Sequence, residues 1–330
     1  MKLLVLGGTA WLGGTVAADA AARGVDVVCL ARGTSGSVPD GARLVVADRN
    51  DPAALDAVRH EHWDAVVDVA RQPGHVRNAV AALEPVAERY VFVSTANVYA
   101  DQRTLGQDED SRLLAPLESD LMASMEEYGP AKVACEQAVR RTFGDDRSLI
   151  ARAGLIGGPG DTSGRTGYWP WRFAHPSNPE GRVLVPDALD RPAAVVDVRD
   201  LAAWLVDVAA GGAAGVFDTL GQVLPLREAL ETARSVAGGR ATTVPAGEQW
   251  LTDHGVGEWS GPRSLPLWLR DPDWWGMNAR TGARARAAGL TNRPLADTFT
   301  DLLAWEEQRP NPHGAGLTDD EERELLAALA

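Results

Sequence analysis

The sequence is poor in cysteine: two residues in 330, Cys29 and Cys135. They form no disulfide framework and have no metal-ligand spacing. One falls in an expected strand and the other in an expected helix, so both are expected as buried packing thiols in a reducing cytoplasm. The six histidines show no metal spacing either. His60 and His62, two apart, face opposite ways and are expected at the surface. Positive charge is also scarce, with 32 Lys and Arg against 46 Asp and Glu and a net charge of −14. No Lys/Arg cluster offsets it. Such a surface repels phosphate backbones and anionic membranes, so neither nucleic acid nor a membrane is an expected partner. No apolar run approaches the roughly 20 residues of a membrane span. Met1 leads into an apolar strand without a basic leader, so a cytoplasmic protein is expected. Internal repeats and low-complexity segments are missing too, which excludes solenoids and tails.

What is present is a regular alternation. Strand-like runs stand at 2–6, 26–30, 43–46, 64–69, 89–94 and 147–152. Several are continuously apolar, as strands covered on both faces should be. Ala-rich stretches at 14–23, 52–59, 75–88 and 127–143 lie between them and carry helical character. This order predicts an α/β chain, a Rossmann-type doubly wound parallel sheet with right-handed crossovers. Residues 1–157 and 193–218 are assigned to this dinucleotide-type domain. The texture changes at about 157. Residues 157–192 are rich in Gly, Pro and aromatics and read as an irregular surface segment. Nine of the eleven tryptophans lie at 169 or later. Residues 158–192 and 219–330 are therefore expected to form a smaller, aromatic-rich substrate portion. Thr318 to Glu321 reads as a capping box opening a last helix at 319–329.

Two segments carry chemistry. Residues 5–13 (VLGGTAWLG) run from a strand through a glycine turn into a helix. Such a turn aims bare N–H groups and a helix N-terminus at a pyrophosphate. Gly7 supplies the tight turn and Gly13 close helix packing, while Ala10 stands where a middle glycine often sits. Far downstream, Tyr128-Gly-Pro-Ala-Lys132 puts a phenol and an ammonium one helical turn apart, on one face. A cation near a phenol favours the phenolate. Together the two segments argue for carbonyl–alcohol redox chemistry. The end of the second strand selects the coenzyme. It reads Leu30-Ala31-Arg32-Gly33-Thr34-Ser35, one arginine and no acid, which favours NADP(H) over NAD(H). Asp48, after the third strand, is placed to accept from the adenine amino group.

These features extend to FVSTANVY at 92–99, RAGLIGGPGD at 152–161 and VDVRDLA at 196–202. With the first turn, Asp48 and YGPAK they form six ordered motifs. Over most of its length the chain thus resembles the extended and atypical short-chain dehydrogenases/reductases, the NAD(P)-dependent epimerase/dehydratase family. The resemblance implies a Thr95, Tyr128, Lys132 triad: Thr95 orients the substrate oxygen, Tyr128 transfers the proton, and Lys132 holds the ribose and assists the phenol. The expected dinucleotide contacts are Gly7, Thr9, Ala10, Trp11, Leu12, Gly13, Arg32, Asp48, Arg49, Ala70, Lys132 and Leu155. A fourth member seen in some relatives, an asparagine, has no clear match, Asn78 included. The Asp-Glu pair that family dehydratases carry after the threonine is Ala96 and Asn97 here, so elimination by that route is not expected.

The expected activity is interconversion of a ketone and a secondary alcohol on a small ring-containing metabolite. Tyr168, Trp169 and Arg172 are the expected substrate contacts, with Asp161, Arg165 and Trp171 on the same segment. Trp268, Trp274, Trp275 and Met277 form a second aromatic group, and Arg191 lies near a phosphate position of sugar-nucleotide relatives. Two other readings remain open: a sugar or sugar-nucleotide epimerase with tightly bound NAD, and a non-catalytic Rossmann binding protein. A homodimer is left open.

Overall fold

The structure is a computed structural model and describes residues 1–310 and 314–329. The first half contains β1 Lys2–Leu6, α1 Trp11–Ala22, β2 Asp26–Ala31, β3 Arg43–Val46, β4 Ala65–Asp68, α2 Pro73–Leu83, β5 Tyr90–Thr95, α3 Tyr128–Arg147 and β6 Ser148–Ala153. Then come β7 Leu155–Gly157, α4 Tyr168–Ala174, β8 Arg182–Pro186, β9 Pro192–Asp197, α5 Val198–Ala209 and β10 Gly215–Thr219. The rest comprises β11 Val223–Pro225, α6 Leu226–Val236, β12 Thr242–Ala246, α7 Glu248–Asp253, β13 Gly257–Trp259 and β14 Ser264–Pro266. Three helices follow, α8 Ala283–Ala287, α9 Leu295–Glu306 and α10 Asp319–Ala328.

Seven strands form one sheet in the order β10-β6-β5-β4-β1-β2-β3, all parallel. Strand alternation explains its two-sided burial. Leu3, Val5, Val27, Cys29, Val91 and Val93 face a core shared with α1 and α5. Leu4, Leu6, Val28, Leu30, Tyr90 and Phe92 face the other core, shared with α2 and α3. The strand order reverses between β1 and β4. In such sheets the crevice at the carboxyl ends of the strands at this switch is where ligands bind.

A third core lies beyond the sheet, built from Trp169, Phe173, Leu184, Leu226, Trp268 and Leu302. β9 falls in 193–218 from its second residue on but pairs with β7 and β11 in a separate three-stranded sheet, whereas α5 and β10 return to the main layer. The capping box stands as expected, with the Thr318 side chain on the Glu321 N–H and Glu321 reaching back. Both cysteines are buried and free, and burial pushes their thiols up, to about 11 for Cys29 and about 12 for Cys135.

Two expectations are corrected. Residues 52–59 are a series of turns, not a helix. Bonds from Ala54 to Asp51, Asp56 to Ala53 and Val58 to Leu55 close three-residue steps, and Leu55 and Val58 still reach the core. The stretch 157–192 is not irregular either: it contains α4, β8 and the start of β9. Its aromatics supply the apolar face that docks α4 against α6 and α9.

Candidate active site

The glycine turn sits at the end of β1. Gly7 adopts φ +96, and its N–H donates to the Leu30 carbonyl at 2.9 Å, which holds the turn against β2. A side chain at Gly13 would collide with the Gly7 carbonyl oxygen, so only glycine lets α1 approach this closely. The first turn of α1 holds no acid, and no side chain caps it. Its leading N–H groups are left for an anion. The cradle therefore fits a dinucleotide pyrophosphate.

A cavity of about 260 Å³ opens beside this turn, lined by Arg32, Thr34, Ser35, Asp48, Arg49 and His75 among others. Arg32 is exposed there, and no carboxylate stands between 31 and 35. One oxygen of Asp48 accepts from the Asn50 backbone at 3.0 Å and its side chain at 2.9 Å, which leaves the second oxygen available. Arg49 lines the cavity, yet its guanidinium is engaged by Asp68 at 2.7 and 3.0 Å. Asp68 also accepts from the Tyr90 hydroxyl at 2.6 Å. Burial and the neighbouring Arg49 hold His75 below its ordinary value.

The second cavity, of about 590 Å³, starts at Ala10 to Gly13 and runs under β5, β6 and α3. Thr95, Tyr128 and Lys132 all line it, together with Leu155. Thr95 ends β5, and its hydroxyl accepts from the Asn97 N–H at 3.2 Å. Gly129 packs on the Asn97 carbonyl so tightly that a side chain there would collide with it. That contact brings the start of α3, and with it Tyr128, to the end of β5. Lys132 is buried, and its ammonium donates to the carbonyls of Val93 at 2.6 Å and Ala70 at 2.7 Å. An ammonium has three N–H donors, so one is left to serve a ligand. Every expected dinucleotide contact lines one of these two cavities.

The substrate contacts are corrected. Tyr168, Trp169 and Arg172 are fully buried in or against the core beyond the sheet and line neither cavity. The Trp169 indole donates to the Pro266 carbonyl at 2.6 Å. Arg172 donates to Leu317 and Asp319, each at 2.6 Å, and faces Glu322 at 3.4 Å. Arg191 pairs with Glu248 at 2.8 Å and lies over the Trp275 ring. Trp268 is buried, and of the second aromatic group only Met277 lines the cavity. The outer wall is instead Met125, Arg165, Trp259 and Ser260. Arg71 lines both cavities. It follows Ala70 directly at the end of β4, the one signal that pointed to it.

The known proteins bear on this geometry. Residues 3–88 match the model of the NAD dependent epimerase/dehydratase family. The match covers about a quarter of the chain, within the dinucleotide-binding half, and agrees there with the resemblance read from the sequence. The matched stretch contains the glycine turn, Arg32, Asp48 and Ala70. A comparison with curated proteins finds no match. Among solved structures, the enzyme WbmH of Bordetella bronchiseptica in complex with NAD+ is 18% identical with a TM-score of 0.66, over 94% of this chain and 99% of that one. UDP-N-acetylglucosamine 4-epimerase from Bacillus cereus is 18% identical with a TM-score of 0.65, over 94% and 98%. UDP-glucose 4-epimerase from Thermotoga maritima with UDP-glucose is 14% identical with a TM-score of 0.65, over 93% and 99%. At these identities the likeness is one of fold, and it covers nearly the whole of each chain.

Proposed function

We propose that the protein is an NADP(H)-dependent oxidoreductase that interconverts a ketone and a secondary alcohol on a small metabolite. The observation that carries this reading is the meeting of Thr95, Tyr128 and Lys132 in one cavity with the glycine turn. The turn and the start of α1 would hold the pyrophosphate, and Arg32, Thr34 and Ser35 the 2′-phosphate. The bound coenzyme supplies the hydride. Thr95 donates to the carbonyl oxygen and fixes its direction. Tyr128 gives its phenolic proton to that oxygen as negative charge develops there, and takes it back in the oxidising direction. Lys132, anchored on two carbonyls, keeps its cation beside these groups and stabilises the phenolate left behind. No second acid/base pair follows Thr95, which supports plain redox chemistry over elimination.

A second reading keeps the same three residues. A sugar epimerase would oxidise and re-reduce one substrate on a retained NAD, and two of the fold neighbours reported above are named UDP-sugar 4-epimerases. Arg32 in place of an acid after β2 favours the first reading. The test is Tyr128→Phe, assayed by NADPH consumption on a ketone panel. Turnover should drop by a factor on the order of 10² or more with coenzyme affinity intact. Near-wild-type turnover would overturn the mechanism. Turnover without added coenzyme, with NAD released on heating, would select the epimerase.

A further inference from the structure

Two guanidinium groups in the 590 Å³ cavity are not claimed by any acid among the described residues, Arg71 and Arg165. Arg71 is exposed at the junction with the adenosine side, where the coenzyme phosphates are expected. Arg165 stands at the other end, with Tyr128. Its Nε donates to the Ser163 hydroxyl at 3.2 Å, and its two terminal nitrogens have no partner among the described residues. The nearby acid is already occupied: Asp161 accepts from the Thr166 hydroxyl and from the Ser163 N–H, both at 2.9 Å. Burial pulls the Arg165 guanidinium below its ordinary value, and Asp161 and Tyr128 offset this only in part. A half-buried cation with two free terminal nitrogens is an open bidentate site.

The wall beside it is also unusual. Trp259 holds φ 69, left-handed backbone that an aromatic residue rarely adopts. That conformation puts its indole in the cavity, with the Arg165 guanidinium 5.8 Å from the ring centroid. Backbone strain of this kind persists where surrounding structure enforces it, and often at ligand sites.

We propose that this cavity takes a small substrate carrying a carboxylate or phosphoryl group, anchored on Arg165 with its body against Trp259. The chain's charge of −14 repels anions in general, so an anionic substrate needs such a local cation. Size points the same way. The cavity lies within the roughly 300–1,000 Å³ range of one drug-sized ligand, and the nicotinamide end of the coenzyme has to share it. The remainder suits a one-ring metabolite better than a nucleotide sugar.

This inference rests on the cavity being the catalytic one, but its test reads binding, so it can fail apart from the redox reading. The protein, saturated with NADP+ or with NAD+ if that binds instead, is titrated calorimetrically with benzoate, phenyl phosphate and benzamide. At least one anion should bind about tenfold or more tighter than benzamide, the weight of a charge-assisted pair. Whichever anion wins identifies the headgroup. Arg165→Met should abolish that preference and leave coenzyme affinity within about twofold, while Arg165→Lys retains part of it. Should Arg165→Met not fold, Arg165→Gln carries the comparison. Equal binding of all three probes, binding of none, or an unchanged preference in Arg165→Met overturns the proposal. Coenzyme binding lost with Arg165 also overturns it, since the residue would then serve the coenzyme.

Discussion

The Lys132 ammonium donates to the Val93 carbonyl at 2.6 Å, two residues before Thr95 on the same strand. The ammonium and the hydroxyl proposed above as catalytic are thus referenced to one another through β5 rather than through a loop. Lys132→Met should remove the cation from the cavity and leave one buried and one half-buried carbonyl short of a donor. Turnover is expected to drop by a factor on the order of 10² or more, and stability by about 1–3 kcal/mol. Steady-state kinetics and urea unfolding check the two effects separately.

Arg32 is expected to choose between coenzymes. It is exposed beside Thr34 and Ser35, with no acid in the same turn to bind a ribose hydroxyl. Arg32→Ala should weaken NADPH about tenfold or more and leave NADH nearly unchanged. Fluorescence titration decides it. Tenfold tighter NADH binding by the unaltered protein would show that the end of β2 has been misread.

Arg172 should behave as a structural residue. It is fully buried among Leu317, Asp319 and Glu322. Arg172→Met leaves Glu322 buried with its charge less compensated, at a cost of roughly 3–5 kcal/mol. The melting temperature should drop several degrees, while kcat/KM of the molecules that remain folded stays near wild type.

Acid should loosen the adenosine side of the sheet. Burial alone would raise the Asp68 carboxyl, but Arg49, the Tyr90 hydroxyl and the Ala70 N–H outweigh it and hold Asp68 below its ordinary value. A carboxylate depressed in the folded state stabilises the fold above its unfolded pKa, near 4, and loses that contribution as pH falls through the folded value. Asp68→Asn should therefore be less stable than wild type at neutral pH, with a gap that narrows below about pH 4. Urea midpoints measured across this range give the comparison; a gap independent of pH would contradict it.

What could be read in advance divides along physical lines. Gly7, Gly13, Thr95, Tyr128 and Lys132 sit at strand ends and on one helical face, where fixed periodicities turn spacing into geometry. Arg165 sits on a connection and Trp259 at the end of the three-residue strand β13, positions that depend on what packs beneath them; Arg165 could be placed on the substrate segment but not in the cavity, and no periodicity marks Trp259. Tyr168 and Trp169 misled for a related reason. A cluster of aromatics next to glycines and prolines reads alike whether it lines a cavity or fills a core, and here it fills the core under α4. Residues 52–59 have helical composition, yet three-residue turns satisfy the same backbone groups while Leu55 and Val58 are buried.

Met125, Arg165, Trp259 and Ser260 share one property: all border the cavity, and none belongs to the fully buried set that holds either core together. Met125 is 65% exposed. Replacements at the exposed Met125 and Ser260 carry little folding penalty, whereas Gly13 or Gly129 cannot accept a side chain without moving the backbone against it. On the function proposed above, selection acting on this chain can therefore alter these exposed wall positions without disturbing the packing that fixes Gly13 and Gly129.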